Sequence, residues 1–244
     1  MFIGTSGWNY KHWSNGVFYP EGSKSAEWLH HYCQHFGTVE LNYSFYRLPN
    51  KEMFAKWYSS TPERFVFAVK ANRFITHVKR LKDVDQTVPN FLTNASALKE
   101  KLGPVLFQFP ASFHSDRDRL QRLLRYWNSQ DILRGARAAF EFRHESWFSD
   151  DILRLLREAN AALCLADWPD LKDEQGITSD FVYVRRHGSH RPYTGSYSKN
   201  ELTNDAGLIR RWSAEGKDAY VYFNNDAFGW AVENARTLQK LVMH

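Results

Sequence analysis

Charged residues interrupt two otherwise apolar segments of this 244-residue chain. Glu141 and Arg143 alternate with phenylalanines in the run FEFR, and Arg185 and His187 follow valines in the run VYVRRH. A carboxylate held beside an arginine stays ionised, which suits a general base. Arginine binds phosphate and carboxylate groups through paired hydrogen bonds. These residue types therefore predict acid/base chemistry on an anionic substrate.

Four titratable residues at or near the ends of apolar runs are the candidate catalytic groups: Glu40, Glu141, Asp167 and His187. The two glutamates would exchange protons with the substrate, and Asp167 would orient His187. The structural alternative is a network of ion pairs, such as Glu141 with Arg185, that only fills the mouth of a barrel. Burying such groups without partners costs roughly 2–7 kcal/mol each, so the number of polar ends favours a functional site.

A second set of residues is predicted to contact the substrate: Trp8, Asn42, Tyr46, Lys70, His77, Gln108, Arg143, Arg185, Tyr197, Asn224 and Asp226. The basic members would neutralise a phosphate group. Two basic connections, 70–80 and 185–193, support this hypothesis, although each could equally be a solvated surface loop. Five aromatic residues between positions 8 and 19 would stack on a base or sugar, or else pack as a lid without a ligand.

A metal-assisted variant of the chemistry would use Glu141, Asp167 and His187, a mixed nitrogen and oxygen set that zinc or manganese accepts. The sequence has no HxxxH or HxH pair, however, and Lys70, Arg143 and Arg185 would repel a cation in the same cavity. A divalent metal is therefore not favoured, and the cofactor is left unknown.

The elements that must position these residues alternate along the chain. Short β-like runs lie near Phe2–Ser6, Thr38–Asn42, Phe65–Lys70, Val105–Gln108, Ala138–Arg143, Ala162–Asp167, Phe181–His187 and Ala219–Asn224. Helical periodicity occurs near Ser25–Phe36, Lys51–Ser59, Phe91–Leu102, Asp116–Trp127, Asp150–Ala159, Lys199–Ala214 and Asp226–Val242. This alternation predicts an α/β protein: one (β/α)8 TIM-barrel domain over residues 1–244, with its site at the C-terminal ends of the strands.

Composition narrows the class of protein. The formal net charge of +5 and the pI of about 9.1 are compatible with an anionic partner. Cys33 and Cys164 fit neither a disulfide framework nor a metal motif. No apolar stretch approaches the ~20 residues of a membrane helix, and no secretory signal is evident. We expect a cytoplasmic protein without a membrane partner, and the sequence leaves its oligomeric state open.

A series of short motifs spans nearly the whole chain: GTSGW at 4–8, FYP at 18–20, FGTVELN at 36–42, FYRLP at 45–49, FAVK at 67–70, ITH at 75–77, FQFP at 107–110, FEFRH at 140–144, SW at 146–147, YVRRHG at 183–188, GSYS at 195–198 and YFNND at 222–226. In these motifs the chain resembles the YecE-like family, known as domain of unknown function 72. The resemblance implies a TIM barrel. Such barrels look similar to the endonuclease IV and xylose isomerase group, which suggests nucleic-acid processing by analogy alone.

Three functions stay open at this point. The first is an enzyme of hydrolase or lyase type that acts on an anionic, phosphate-bearing substrate, with a nucleic-acid strand or nucleotide as the suggested example. The second is a nucleic-acid-binding protein without catalysis. The third is a glycosidase that uses Glu40 and Glu141, which end strands on opposing sides of the barrel and are expected to lie too far apart for a retaining mechanism.

Overall fold

The chain forms a barrel of parallel strands, seen in a computed structural model that describes residues 1–130, 136–168, 176–188 and 193–243. The strands are β1 (Phe2–Thr5), β2 (Thr38–Leu41), β3 (Val66–Lys70), β4 (Leu102–Gln108), β5 (Ala138–Glu141), β6 (Ala162–Ala166), β7 (Phe181–Arg186) and β8 (Asp218–Phe223). They are ordered β1-β8-β7-β6-β5-β4-β3-β2 in one sheet. The predicted TIM-type barrel is confirmed, and each strand overlaps its predicted range.

Eight α-helices lie among the described residues: α1 (Trp28–Cys33), α2 (Tyr43–Tyr46), α3 (Lys51–Ser59), α4 (Val84–Ala95), α5 (Arg117–Asn128), α6 (Asp150–Glu158), α7 (Lys199–Ala214) and α8 (Trp230–Met243). The start of α7 is fixed by a capping box, in which Ser198 and Glu201 bond each other's backbone amides. Within the same residues, no helix is long and apolar enough to cross a membrane.

The helix predicted over 91–102 is wrong in position, and Pro89 is the reason. A proline lacks the N–H that an interior helical residue donates, so the sequence favours a helix that starts after it. In the structure α4 runs through Pro89, because its buried side chains recur at helical spacing on both sides of that residue. After α4 the chain tightens into a 3-10 turn at 96–101.

Two apolar layers hold the barrel. The larger layer lies between the strands and the helices and contains the outward-facing residues of every strand. The smaller layer fills the inside of the barrel with buried residues from six strands: Ala68, Leu106, Ala139, Ala162, Cys164, Phe181, Tyr183, Tyr220 and Tyr222. Because successive strand residues face opposite sides, the polar residues that follow this inner layer must lie at the mouth of the barrel.

The seam between β1 and β2 is bridged by the side chain of Tyr32, which comes from α1. The backbone N–H of Thr5 donates to Tyr32 Oη at 3.1 Å, and the same hydroxyl donates to the carbonyl oxygen of Thr38 at 3.0 Å. Tyr32 is completely buried. A Cβ at Gly4 would collide with the Thr38 carbonyl oxygen, so the close approach of the two strands requires glycine there. The Tyr32 hydroxyl and Gly4 thus allow β1 and β2 to lie close together.

Replacing Tyr32 with phenylalanine should destabilise the protein by about 1–3 kcal/mol, because the buried N–H of Thr5 loses its acceptor. The measurement is the free energy of unfolding in urea. Tyr58→Phe is the matched control: its hydroxyl donates to Glu100 at the surface, and its loss should change stability by no more than about 0.5 kcal/mol. Equal effects of the two substitutions would contradict the bridging role of Tyr32.

Candidate functional site

Strand alternation points the predicted polar residues into the barrel. On β5, Phe140 packs in the outer apolar layer while Glu141 lies inside. On β7, Val184 packs outside while Arg185 lies inside. Glu40, Glu141 and Arg185 are all 0% exposed. The predicted directions are therefore confirmed at the strands where charged residues meet.

Arg185 joins the two glutamates. Its Nε and Nη2 atoms donate to Glu40 at 3.0 and 2.9 Å, and its Nη1 donates to Glu141 Oε2 at 2.5 Å. The Tyr183 hydroxyl also donates to Glu40 Oε2, at 2.7 Å. Glu40 comes from β2 and Glu141 from β5, and the guanidinium of Arg185 lies between their two carboxylates. The long arginine side chain draws both to one guanidinium.

The second oxygen of Glu141 faces the mouth of the barrel. Its Oε1 accepts from Arg143 Nε at 2.9 Å and lies 3.4 Å from His187 Nε2. Burial raises the pKa of Glu141, but the charges of Arg185 and Arg143 outweigh burial and hold that pKa well below its ordinary value. Glu141 is therefore an ionised carboxylate with both oxygens occupied. Its catalytic role stays a prediction, as does that of Glu40.

His187 is completely buried, and burial lowers its pKa, so the imidazole is neutral. Its Nδ1 lies 3.1 Å from the amide nitrogen of Asn224. With that amide as donor, the ring proton is on Nε2, on the side of Glu141. The hypothesis that Asp167 orients this ring needs correction, because Asp167 Oδ1 accepts from the backbone N–H of His187 at 2.6 Å instead.

Asp167 belongs to a separate group behind the network. Its Oδ2 accepts from the Tyr197 hydroxyl, and that hydroxyl also accepts from Gly188 N at 2.7 Å. The proposed metal set of Glu141, Asp167 and His187 is therefore not brought together. Across the described ranges, no group of three or more His, Cys, Asp or Glu side chains is arranged to hold a metal ion.

Arg143 forms the rim of the site. Its guanidinium carbon lies 3.8 Å from the ring centroid of Trp168, and its Nη2 donates to the Tyr193 hydroxyl at 3.1 Å. Its side chain is 14% exposed. Trp168 is a site residue that the sequence analysis misses. The only sequence signal for it is its place directly after Asp167, just past the end of β6.

Among the described residues, Lys70 is a basic side chain of this site that has no carboxylate partner. It ends β3, is 8% exposed, and its Nζ lies 4.1 Å from the ring centroid of Phe45. Burial lowers the pKa of Lys70 to about 7, and the charges of Arg185 and Arg143 act in the same direction. In the part of the chain that the structure describes, its Nζ makes no hydrogen bond and no ion pair.

His77 also packs against Phe45, with ring centroids 4.9 Å apart. Burial and the charge of Lys70 lower the pKa of His77 to about 4, so its ring is neutral at physiological pH. Its Nδ1 is 2.9 Å from the Thr76 hydroxyl. Lys70 and His77 therefore both lie against one phenylalanine at the mouth of the barrel.

The aromatic residues predicted to stack on a ligand or to pack as a lid fall into two groups. Trp13, Phe18 and Tyr19 are buried and pack against α1. Trp8 and Tyr46 instead line a groove of about 480 Å³, together with the following residues: Gly7, Asn9, Tyr10, Asn42, Tyr43, Met53, Lys56 and Trp57. The lid interpretation holds for three of the five aromatics between positions 8 and 19, and the groove is the part that can accept a ligand.

The remaining predicted residues have other hydrogen-bond partners than Arg185. Gln108 is buried and donates to the carbonyl oxygen of Phe109 at 2.7 Å. Asp226 lies 3.3 Å from His12, and burial raises its pKa. Tyr197 stays with Asp167. In the predicted basic connection 185–193, positions 189–192 lie outside the described residues, and Arg186 pairs with Asp205 of α7.

Comparisons with known proteins agree with this fold. The profile described as "Protein of unknown function DUF72" matches residues 2–244. UPF0759 protein YunF of Bacillus subtilis is 26% identical over 99% of this chain and 94% of its own length. UPF0759 protein YecE of Escherichia coli K12 is 31% identical over 61% of this chain, and the match spans half of that protein. A crystal structure of a DUF72 protein from Thermotoga maritima superposes with a TM-score of 0.87, at 31% identity, covering 100% of this chain and 99% of that one.

Replacing Arg185 with methionine should destabilise the protein by about 3–5 kcal/mol, because it leaves Glu40 and Glu141 buried without their shared partner. The measurement is the free energy of unfolding at pH 7. Arg154→Met is the control, since Arg154 pairs with Asp151 on the surface, where an ion pair contributes about 0–1 kcal/mol. A loss at Arg185 no larger than at Arg154 would show that the network does not stabilise the fold.

The lowered pKa of Lys70 makes stability depend on pH. Between about pH 7 and the ordinary lysine pKa near 10.4, the unfolded chain binds the proton that the folded amine releases. The wild type should therefore gain up to about 1.4 kcal/mol per pH unit above pH 7 relative to Lys70→Met. Unfolding at pH 7, 8 and 9 tests this, with exposed Lys79→Met as control. Parallel curves for the wild type and Lys70→Met would refute the shift.

Proposed function

The chain belongs to the DUF72 family, whose description assigns no activity, and we propose from its own side chains that it is an enzyme acting on an anionic, phosphate-bearing substrate. The reaction is of hydrolase or lyase type, and a nucleotide or nucleic-acid strand is the proposed substrate class. The substrate binds at the C-terminal ends of the strands, where TIM-barrel enzymes hold their active sites.

The charge balance around Arg185 carries this proposal. Two carboxylates, Glu40 and Glu141, face three basic groups: Arg143, Arg185 and Lys70. The two arginines already neutralise the two carboxylates through direct ion pairs, which leaves the amine of Lys70 in surplus. An anion that enters the mouth supplies the missing negative charge, and the low dielectric of a buried site strengthens that attraction.

Burial decides which residues contact the substrate. Arg185, Glu40 and His187 are completely buried, so we assign them the role of positioning their neighbours. Arg143 reaches the rim, where stacking on Trp168 and bonding to Glu141 fix its guanidinium in one orientation. Such a fixed fork suits the bidentate binding of phosphate. Lys70 and His77 complete the proposed contact surface.

The aromatic groove supports a nucleotide or a nucleic-acid strand as the substrate class. Trp8, Tyr46 and Trp57 present rings on which a base can stack, and Lys56 adds a positive charge. The groove adjoins the basic groups through Phe45, whose ring is 5.1 Å from Tyr46 and 4.1 Å from Lys70 Nζ. The same groove fits the second candidate, a nucleic-acid-binding protein without catalysis.

The glycosidase alternative loses its geometric basis. A glycosidase needs a sugar between its two carboxylates. The space between Glu40 and Glu141 is occupied by the guanidinium of Arg185, which bonds both. We therefore do not propose this activity.

The proposal is tested by fluorescence anisotropy with labelled single-stranded and duplex oligonucleotides, with inorganic phosphate and a nucleoside monophosphate as competitors. Arg143→Met should weaken binding about tenfold or more, because a charge-assisted hydrogen bond contributes about 1.5–3 kcal/mol. Arg122→Met removes an equal charge from the exposed face of α5 and should change affinity less than twofold. Binding should fall steeply as salt rises.

The outcomes separate the candidates. Strand cleavage or nucleotide turnover, measured with divalent metal and with chelator, supports the enzyme, whereas tight binding without product supports the binding protein. If none of these ligands binds at low salt, or if the two arginine substitutions weaken binding equally, the mouth of the barrel is not an anion site.

A further inference from the structure

We propose that the amine of Lys70 is a nucleophile that forms an imine with the carbonyl group of a phosphorylated, open-chain sugar. This inference rests on the proposed function and deepens it, because it names both the reacting atom and the substrate class. Three features of the site carry it: the lack of polar partners around Lys70, its place at the mouth of the barrel, and the arrangement of Arg143 beside it.

A second buried lysine shows what a structural lysine looks like in this fold. Lys101 is 5% exposed, and its Nζ donates to the carbonyl oxygens of Tyr58 and Thr61, at 2.6 and 2.8 Å, and to the Thr61 hydroxyl at 3.2 Å. Lys70 is buried to nearly the same degree. Among the described residues, however, its Nζ makes no hydrogen bond or ion pair and lies over the ring of Phe45. A buried amine without polar partners is a cost to the fold, so stability does not explain it.

The state of the amine suits a nucleophile. Burial lowers the pKa of Lys70 to about 7, and the nearby charges of Arg185 and Arg143 contribute to the shift in the same direction. At neutral pH, a substantial share of the molecules therefore carries the free base, which has the lone pair that attacks carbon. An exposed lysine, with a pKa near 10.4, has less than about 0.1% of its amine in this form at pH 7.

The chemistry balances without an oxidant, a reductant or a metal. The lone pair of Nζ attacks the carbonyl carbon, a C–N bond forms, and the carbonyl π electrons move to oxygen. Both protons of the amine pass to that oxygen, which leaves as water, and the product is an imine. Once protonated, the imine withdraws electrons from the neighbouring carbon. Cleavage of a bond at that carbon is then a lyase reaction.

The surroundings of Lys70 explain why the carbonyl compound should carry a phosphate. Arg143 is fixed by Glu141 on one side and by Trp168 on the other, and its charge acts directly on Lys70. A phosphate bound by Arg143 would hold the sugar with its carbonyl end free to reach Nζ. The same phosphate would stabilise the positive charge of the protonated imine.

The experiment is reductive trapping of the full chain with cyanoborohydride. One arm uses ribose 5-phosphate, and a second uses a single-stranded oligonucleotide with an abasic site, whose open-chain sugar has the same aldehyde. Peptide mass spectrometry should place the reduced adduct on Lys70 at least tenfold above Lys101 and the exposed lysines. Trapping in the first arm alone identifies a free sugar phosphate, and trapping in the second identifies a nucleic-acid source.

Two variants give the controls. Lys70→Arg has a positive charge but no amine that can form an imine, so it should show no trapping at this position at ribose 5-phosphate concentrations that saturate the variant. Lys79→Arg changes an exposed lysine of the same connection, which pairs with Asp83, and should trap as the wild type does. Isothermal calorimetry measures binding separately from trapping.

Two results overturn the inference in distinguishable ways. Binding of ribose 5-phosphate or of the abasic strand without an adduct on Lys70 refutes the imine and leaves the proposed anion site intact. No binding of either probe, with no adduct, refutes the imine together with the proposed function.

Discussion

The bonds from Arg185 to Glu40 and Glu141 are the interaction on which the rest of the site depends. They connect β7 with β2 and with β5 across the inside of the barrel, although neither strand is a direct neighbour of β7 in the sheet. Taking charges out of water is expensive, and it is offset only when each charged atom finds a close partner. Glu40 meets this condition with Arg185 and Tyr183, and Glu141 with Arg185 and Arg143. Removing any one of these charged side chains would therefore deprive another buried charge of a partner.

That closed network has two consequences for the mouth of the barrel. It orients Arg143, since Glu141 holds the Nε atom and leaves the outer nitrogens facing the rim. It also pairs both carboxylates with arginines, so neither forms an ion pair with Lys70, whose pKa is lowered first by burial and then by the charge of Arg185. The unusual amine is thus a result of its burial beside charges that are already paired with one another.

Sequence periodicity predicted the barrel and the inward direction of Glu141 and Arg185, because strand alternation is a local property. The sequence also suggested the ion pair of Glu141 with Arg185, but it did not predict that Glu40 binds the same guanidinium, since that depends on side-chain length and direction across the barrel. The same limit applies to Asp167, which bonds a backbone amide rather than a ring. Trp168 was missed because an aromatic residue after a strand carries no periodic signal.

A buried lysine is fully hydrogen-bonded at one end of the barrel, and buried polar groups are incompletely hydrogen-bonded at the other. This difference argues for a ligand at the second end. Lys101 lies just before β4 at the N-terminal end, and backbone carbonyls and a hydroxyl satisfy it. At the C-terminal end, Ser6 Oγ, Asn42 Oδ1 and Asn225 Oδ1 are buried without a hydrogen-bond partner in the described residues. Natural folds rarely leave such atoms unpaired, and a bound ligand or water would supply the partners that the described residues do not. These residues follow β1, β2 and β8 at the same end of the barrel as Lys70, which ends β3.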